Sequence, residues 1–177
     1  TTHEENILSS LEEMKLPIAL LFLTETGLKK STLDATTQIR DLLLKTSYHN
    51  YDSQQQGGKN KETKKSIYID GDKKHELTTS FYRPNSGNGD PRFNPSGLKE
   101  YASADDVCCL TVVDSQLCII NLTKSTDASI KLFSEFRASQ KENKEQEFNS
   151  NPWVEELLNW RGDEKGVQWH ESQQPSR

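Results

Sequence analysis

The stretch "SIYIDGDKKHELTTSFYR", residues 66–83, carries the strongest structural signal in the chain. Apolar and polar residues alternate on both sides of Asp70-Gly71, which is the signature of a β-hairpin with Asp-Gly as its turn. To either side of it, "IALLFLT" (18–24) reads as a buried strand, and "DVCCLTVVDSQLCIINL" (106–122) reads as a second hairpin turning near Asp114-Ser115. Helical signals gather at the two ends of the chain. Thr2 and Glu5 have capping-box spacing, Ile7, Leu8, Leu11 and Met14 follow at helical period, and Pro17 stops the run. Ile130, Phe133 and Phe136 share one face of a helix from Asp127 to about Gln140, with "KENKEQE" as a solvated run beyond it. Pro152 opens a further helix over "NPWVEELLNW" (151–160). The segment 31–47 is ambiguous. Ile39, Leu42 and Leu43 favour a helix, while its Thr-rich front favours extended chain. "YDSQQQGGKNKETKK" (51–65) has no period and reads as a polar loop. Strands in the middle and helices outside predict a mixed, mainly β fold, an open β-barrel with peripheral helices. Residues 1–160 form that domain, and 161–177 read as a linker, as in a piece of a longer protein.

The chain has 177 residues, of which 32% are hydrophobic, enough for one core with part of the chain outside it. No run approaches the ~18 apolar residues of a spanning helix, and no signal peptide opens the chain, so no membrane is expected. Cys108, Cys109 and Cys118 are odd in number and lie in apolar strand-like runs. They read as buried free thiols in a reducing cytosol. His3, His49, His75 and His170 are scattered and no CxxC pair occurs, so neither a metal nor another cofactor is expected.

The net charge of −5 conceals an asymmetry. Residues 27–100 hold 13 Lys/Arg against 9 Asp/Glu, while the rest of the chain holds 9 against 18. The basic residues cluster at Lys29-Lys30, Lys59 to Lys65, Lys73-Lys74, Arg83 and Arg92. Affinity for phosphates follows local charge, not the total. The Gly-rich run "NSGNGDP" (85–91) lacks the spacing of a phosphate-cradling loop, and Asp90 would repel the anion. A metal-dependent nuclease has two weak patterns, Asp52 ahead of Glu62-Thr63-Lys64 and ahead of Asp72-Lys73-Lys74. Nucleophilic catalysis has no motif. A protein-interaction domain using the acidic terminal helices is a further alternative. The remaining reading is a binding surface. "TETGLKKST" (24–32) and "DKKHELTTSFYRPNSGNGDPR" (72–92) mix Lys and Arg with Ser, Thr, His, Asn and acids. That mixture suits direct readout of base edges in the major groove.

"LTETGLKKS" (23–31), "KKHELTTSFYR" (73–83) and "GNGDPRF" (87–93) with "GLKEYASADDVCCLTV" (97–112) resemble the N-terminal DNA-binding domain of EcoRII-type restriction endonucleases. This is the DNA-binding pseudobarrel shared with the plant B-three transcription factor domain. The resemblance covers 18–122 and rests on strand order more than on an invariant motif. It implies a non-catalytic, sequence-specific binder of double-stranded DNA, a prokaryotic cytoplasmic monomer in which a linker leads to a catalytic nuclease domain. It further implies a short target such as CCWGG and two arms gripping the major groove. By position, Lys29, Lys30, Ser31 and Thr32 match the first arm. Lys73, Lys74, His75, Glu76 and Thr78 match the second. Arg83, Asn85, Asn88, Asp90 and Arg92 belong to the loop beyond it, with both arginines facing DNA. One departure stands: "DATTQIRDLLLK" (34–45) looks helical where the family often continues as a strand.

Overall fold

The computed structural model describes residues 2–149. The chain divides into two units, Thr1–Arg137 and Ala138–Arg177, and the first holds the seven strands and two hydrophobic cores found among the described residues. The expected helix at 151–160, the boundary at 160 and the linker beyond it lie outside the described residues. The elements in order are α1 (Thr2–Glu13), β1 (Ile18–Phe22), α2 (Glu25–Lys30), β2 (Leu33–Asp34), α3 (Thr37–Lys45), β3 (Glu62–Asp70), β4 (Lys73–Tyr82), β5 (Arg92–Ser96), β6 (Val107–Val113), β7 (Gln116–Asn121) and α4 (Asp127–Asn149). No described helix is long and apolar enough to cross a membrane.

Both predicted hairpins form. In β3–β4, Asp70 pairs with Lys73, so the two-residue turn is Gly71-Asp72, one place later than the sequence suggested. Gly71 takes φ +60° there, which glycine adopts without strain. In β6–β7, Val113 pairs with Gln116, and Asp114 and Ser115 both have positive φ. Two positive φ angles in a two-residue loop match the right-handed twist of the flanking strands.

Two segments read as loop are strands. Glu62–Lys65, read as the end of a polar loop, is the first half of β3. Arg92–Ser96, read as loop, is β5, paired with β4 from Tyr82↔Arg92 to Thr78↔Ser96. Pro95 is tolerated in it because β2 pairs only as far as Phe93, leaving Pro95 at an open edge. The ambiguous 31–47 resolves into both alternatives, the short strand β2 and the helix α3 that buries Ile39, Leu42 and Leu43. Thr36 caps α3, its hydroxyl accepting from the Ile39 amide at 3.4 Å. Farther on, α4 continues through the run expected to be merely solvated.

The seven strands form one mixed sheet in the order β1-β6-β7-β3-β4-β5-β2. It curls into a half-barrel, which agrees with a mixed, sheet-dominated class. Neighbours are antiparallel except β3 and β7, which run parallel over Ser66–Ile69 and Leu117–Ile120. Ala19 and Leu21 of β1 share one core with Leu33 of β2, although these strands are the two edges of the sheet. Curling wraps both edges around that inner core, which also holds Tyr68, Leu77, Phe81, Phe93, Leu110 and Ile119. A second core lies on the outer face. There Ile67, Ile69, Cys109, Cys118 and Ile120 meet Ile7 and Leu11 of α1 and Phe133 and Phe136 of α4. Strands β6 and β7 are therefore buried on both faces, which is why they read as continuous apolar runs.

All three cysteines are free and buried. Burial pushes the Cys109 thiol up to about 12 and raises Cys108 and Cys118 as well. A cysteine attacks a disulfide reagent only as its thiolate. At pH 8 the native chain is therefore expected to resist a thiol reagent and to release three equivalents only on unfolding. Fast labelling of any thiol in the native state would contradict this packing.

Candidate functional site

Residues directly opposite one another in a ladder share a face. On β4, Leu77, Thr79 and Phe81 point to the inner core, so Glu76, Thr78, Ser80 and Tyr82 point outward. The register carries that outer face across four strands. Thr63 and Lys65 of β3 oppose Ser80 and Thr78, Arg92, Asn94 and Ser96 of β5 oppose Tyr82, Ser80 and Thr78, and Asp34 of β2 opposes Arg92. Beyond Ile67, where α1 and α4 cover the sheet, this face is exposed or half-buried and wholly polar.

Its side chains form short ladders. Thr63 and Ser80 hydroxyls lie 3.3 Å apart, Thr32 and Tyr82 hydroxyls 3.1 Å apart, and Lys65 meets Glu76 at 3.6 Å. Arg92 Nη1 donates to Asp34, so the guanidinium is held from β2, while Asp90 stays exposed on the preceding loop. Thr32 follows α2, whose start is set by Thr24 Oγ1 accepting from the Gly27 amide at 3.0 Å. Ser31 ends α2 in the left-handed region at φ 52°, returning the chain toward β2. Lys29 and Lys30, in the last turn of α2, are exposed and have no ionic partner among the described residues.

The sequence-predicted residues do not all converge here. Thr32, Thr78, Glu76 and Arg92 stand on the outer face, and Lys30 reaches a cleft beside it that Thr32, Asp34 and Arg92 also line. Lys73 and Lys74 sit at the hairpin tip, nine residues and ~30 Å along β4 from Tyr82. His75 packs inward, its ring stacked on Tyr101 with centroids 3.8 Å apart. Asn85 and Asn88 are exposed on the β4–β5 loop. Arg83, read as facing DNA, is engaged within the protein. Its Nε donates to the Gly89 carbonyl at 2.8 Å, Nη1 to Gln54 at 3.1 Å and Nη2 to Asn88 at 3.3 Å. These three bonds tie its guanidinium to the loop backbone. Ser80, Tyr82, Thr63, Asn94 and Asp34 were missed. The signal was present, since the polar partners in "TTSFY" recur at period two.

The loop 50–61 braces this region. The Gly57 amide donates to the Arg83 carbonyl at 2.8 Å, and Gln56 Nε2 to the Pro84 carbonyl at 3.1 Å. Gln54, buried, donates to the carbonyls of Asn60 and Phe81, both at 2.8 Å. Its Oε1 is left to accept from His49 Nε2 at 2.9 Å. The His49 side chain is fully buried and stacked on Phe81, and its Nδ1 lies 3.2 Å from Glu62 without hydrogen-bond geometry. Glu62 therefore begins a strand beside a histidine, and Lys64 donates to the Tyr48 carbonyl, while Asp52 is exposed in the 51–53 turn. Among the described residues no cluster of three or more His, Cys, Asp or Glu could hold a metal ion.

No family model matches this chain, and neither a curated protein nor a solved structure is significantly similar to it.

The brace can be tested at two residues. Burial lowers the pKa of His49, outweighing the Gln54 hydrogen bond and the Glu62 charge that raise it. The unfolded chain then binds the proton more readily, so stability is full above the unfolded value of about 6.5 and falls as pH drops below it. Denaturant titrations at pH 7.5 and 5.5 are expected to show a larger loss for the native sequence than for His49→Gln; equal losses would remove His49 from the account. Gly89 has φ +68°, and a Cβ there would lie 2.5 Å from Gln56. Gly89→Ala is therefore expected to cost about 1–3 kcal/mol, with Gln56→Ala in the same chain recovering part of it. An unchanged denaturation midpoint would show that the two loops yield freely.

Proposed function

We propose that this chain binds double-stranded DNA sequence-specifically, with the exposed polar face of β3-β4-β5-β2 and the α2–β2 segment as the contact surface. The observation that carries the reading is the hydroxyl and amide array on that face, with Arg92 oriented by Asp34. Hydroxyls and amides serve both phosphate oxygens and base edges, and a fixed guanidinium supplies the paired donors that guanine O6 and N7 accept. Lys29 and Lys30 add positive charge and form no ion pair among the described residues. The finer reading is the DNA-binding pseudobarrel of EcoRII-type endonucleases, a recognition module acting on behalf of a catalytic domain elsewhere on the polypeptide. The curled half-barrel is compatible with it. In this account Lys73 and Lys74 belong to a separate surface, and Arg83 contributes through loop order alone.

The test is fluorescence anisotropy with CCWGG and scrambled duplexes over a range of salt, with Mg²⁺ present in one series to detect cleavage. The full chain is expected to prefer one duplex and to leave both uncut. Each neutralised phosphate contributes a slope of about −0.9 in log K against log salt. Lys29→Ala with Lys30→Ala is expected to flatten the slope by one to two such steps, whereas Lys73→Ala with Lys74→Ala leaves it unchanged. Equal, weak binding of all duplexes would overturn specificity. Cleavage in Mg²⁺ would replace a binding module with a nuclease.

A further inference from the structure

Between β1 and β2, the two unpaired edges of the sheet, lies a cleft of about 340 Å³. That volume lies within the range of small-molecule sites. Its floor is apolar, formed by Leu21, Leu33 and Ile39, all buried in the inner core. Its rim is polar and charged, formed by Lys30, Asp34 and Arg92. Phe22 also lines it, and this ring is 65% exposed, an unusual cost in lost burial for an aromatic side chain at a sheet edge. The edge itself is not open to another strand along its length, because the Leu20 amide already donates to Gln38 Oε1 from α3 at 3.1 Å. That closure disfavours an added peptide strand and favours a compact ligand.

We infer that the cleft receives a single nucleobase that carries an exocyclic amino group. The deduction rests on the DNA-binding reading for one of its two sources, and on the cleft alone for the other. A base needs an apolar slot, a flat surface to stack on and polar groups at its edge. Leu21 and Leu33 form the slot and Phe22 the stacking surface. The Asp34 carboxylate accepts from an amino group, as acids do from cytosine N4. Lys30 donates to a ring nitrogen or carbonyl oxygen. Arg92 meets Asp34 through Nη1, which leaves Nη2 as the donor beside the carboxylate. The pair therefore presents acceptor and donor side by side, the complement of cytosine, adenine or guanine. Thymine has no amino group to offer Asp34. The base comes either from a nucleotide extruded from a bound duplex or from a free nucleotide.

The experiment has two arms on the full chain. In the first, amide NMR spectra are followed while dCMP, dTMP or inorganic phosphate is added. Shifts centred on Phe22, Thr32 and Arg92 are expected with dCMP, at least fivefold weaker affinity with dTMP, and none with phosphate. Phe22→Ala, at an exposed position, is expected to weaken dCMP binding by roughly 5- to 150-fold, the range for losing one base–aromatic stack. Asp34→Asn should remove the preference over dTMP. An equal response to phosphate, or no response to dCMP together with no fluorescence rise in the second arm, overturns the proposal. The second arm places 2-aminopurine at successive positions of the preferred duplex. A fluorescence rise that Phe22→Ala abolishes identifies an extruded base, and its absence beside a dCMP response identifies the free nucleotide. A dCMP response without any duplex binding keeps the cleft and sinks the DNA reading. Duplex binding with neither a dCMP response nor a fluorescence rise does the reverse.

Discussion

The parallel pairing of Ser66–Ile69 with Leu117–Ile120 joins the whole architecture. On one side lies the antiparallel set β1-β6-β7, on the other β3-β4-β5-β2. Without this junction there would be two small sheets, each too narrow to enclose a core. With it the sheet is wide enough to curl, and both edge strands reach the same inner core. The pairing is buried on both faces, with Tyr68 and Ile119 inside and Ile67, Ile69, Cys118 and Ile120 outside. Parallel strands are generally found covered in this way. Helices α1 and α4 supply the outer cover at that point, and there the outer face turns from apolar to polar.

Much of this was legible in the sequence. The β3–β4 hairpin announced itself by alternation beside Asp-Gly, because burial of β4 on one side imposes period two, and the β6–β7 hairpin by its Asp-Ser turn. The doubly buried strands β6 and β7 were legible as apolar runs. What failed was local chemistry overruled by tertiary contact. Arg92–Ser96 carries Asn94 and Pro95, both poor strand formers, yet Phe93 is wholly buried beside Phe81 and fixes the segment in the sheet. Glu62–Lys65 has no apolar residue, so nothing in its composition marks a strand; its pairing with β4 does. Asp70-Gly71 misled by one residue because either Asp-Gly or Gly-Asp satisfies a two-residue turn, and the register is set by the buried partners.

The candidate site was only half legible, for a related reason. Sequence shows which cations exist but not where their charge goes. Arg83 and Arg92 look alike in the sequence, each next to a proline. In the fold, three backbone carbonyls hold Arg83 inside its loop, while Arg92 reaches a carboxylate on the neighbouring strand. Clustering along the chain also suggested one basic surface, whereas a ten-residue strand separates Lys73 from Tyr82. The neutral hydroxyls that build the outer face carried no charge signal and were passed over.

The two-faced construction of β4 and β5 bears on how such a protein diversifies. Their inward residues, Leu77, Thr79, Phe81 and Phe93, hold the core, while their outward neighbours Thr78, Ser80, Asn94 and Ser96 add little to it. Surface substitutions away from caps and cores change stability by only about half a kilocalorie per mole. Drift can therefore rewrite the outward alphabet position by position while the scaffold stays above its folding threshold. New recognition would then arise by neutral exploration of one face, and kinship between descendants would persist in alternate residues only.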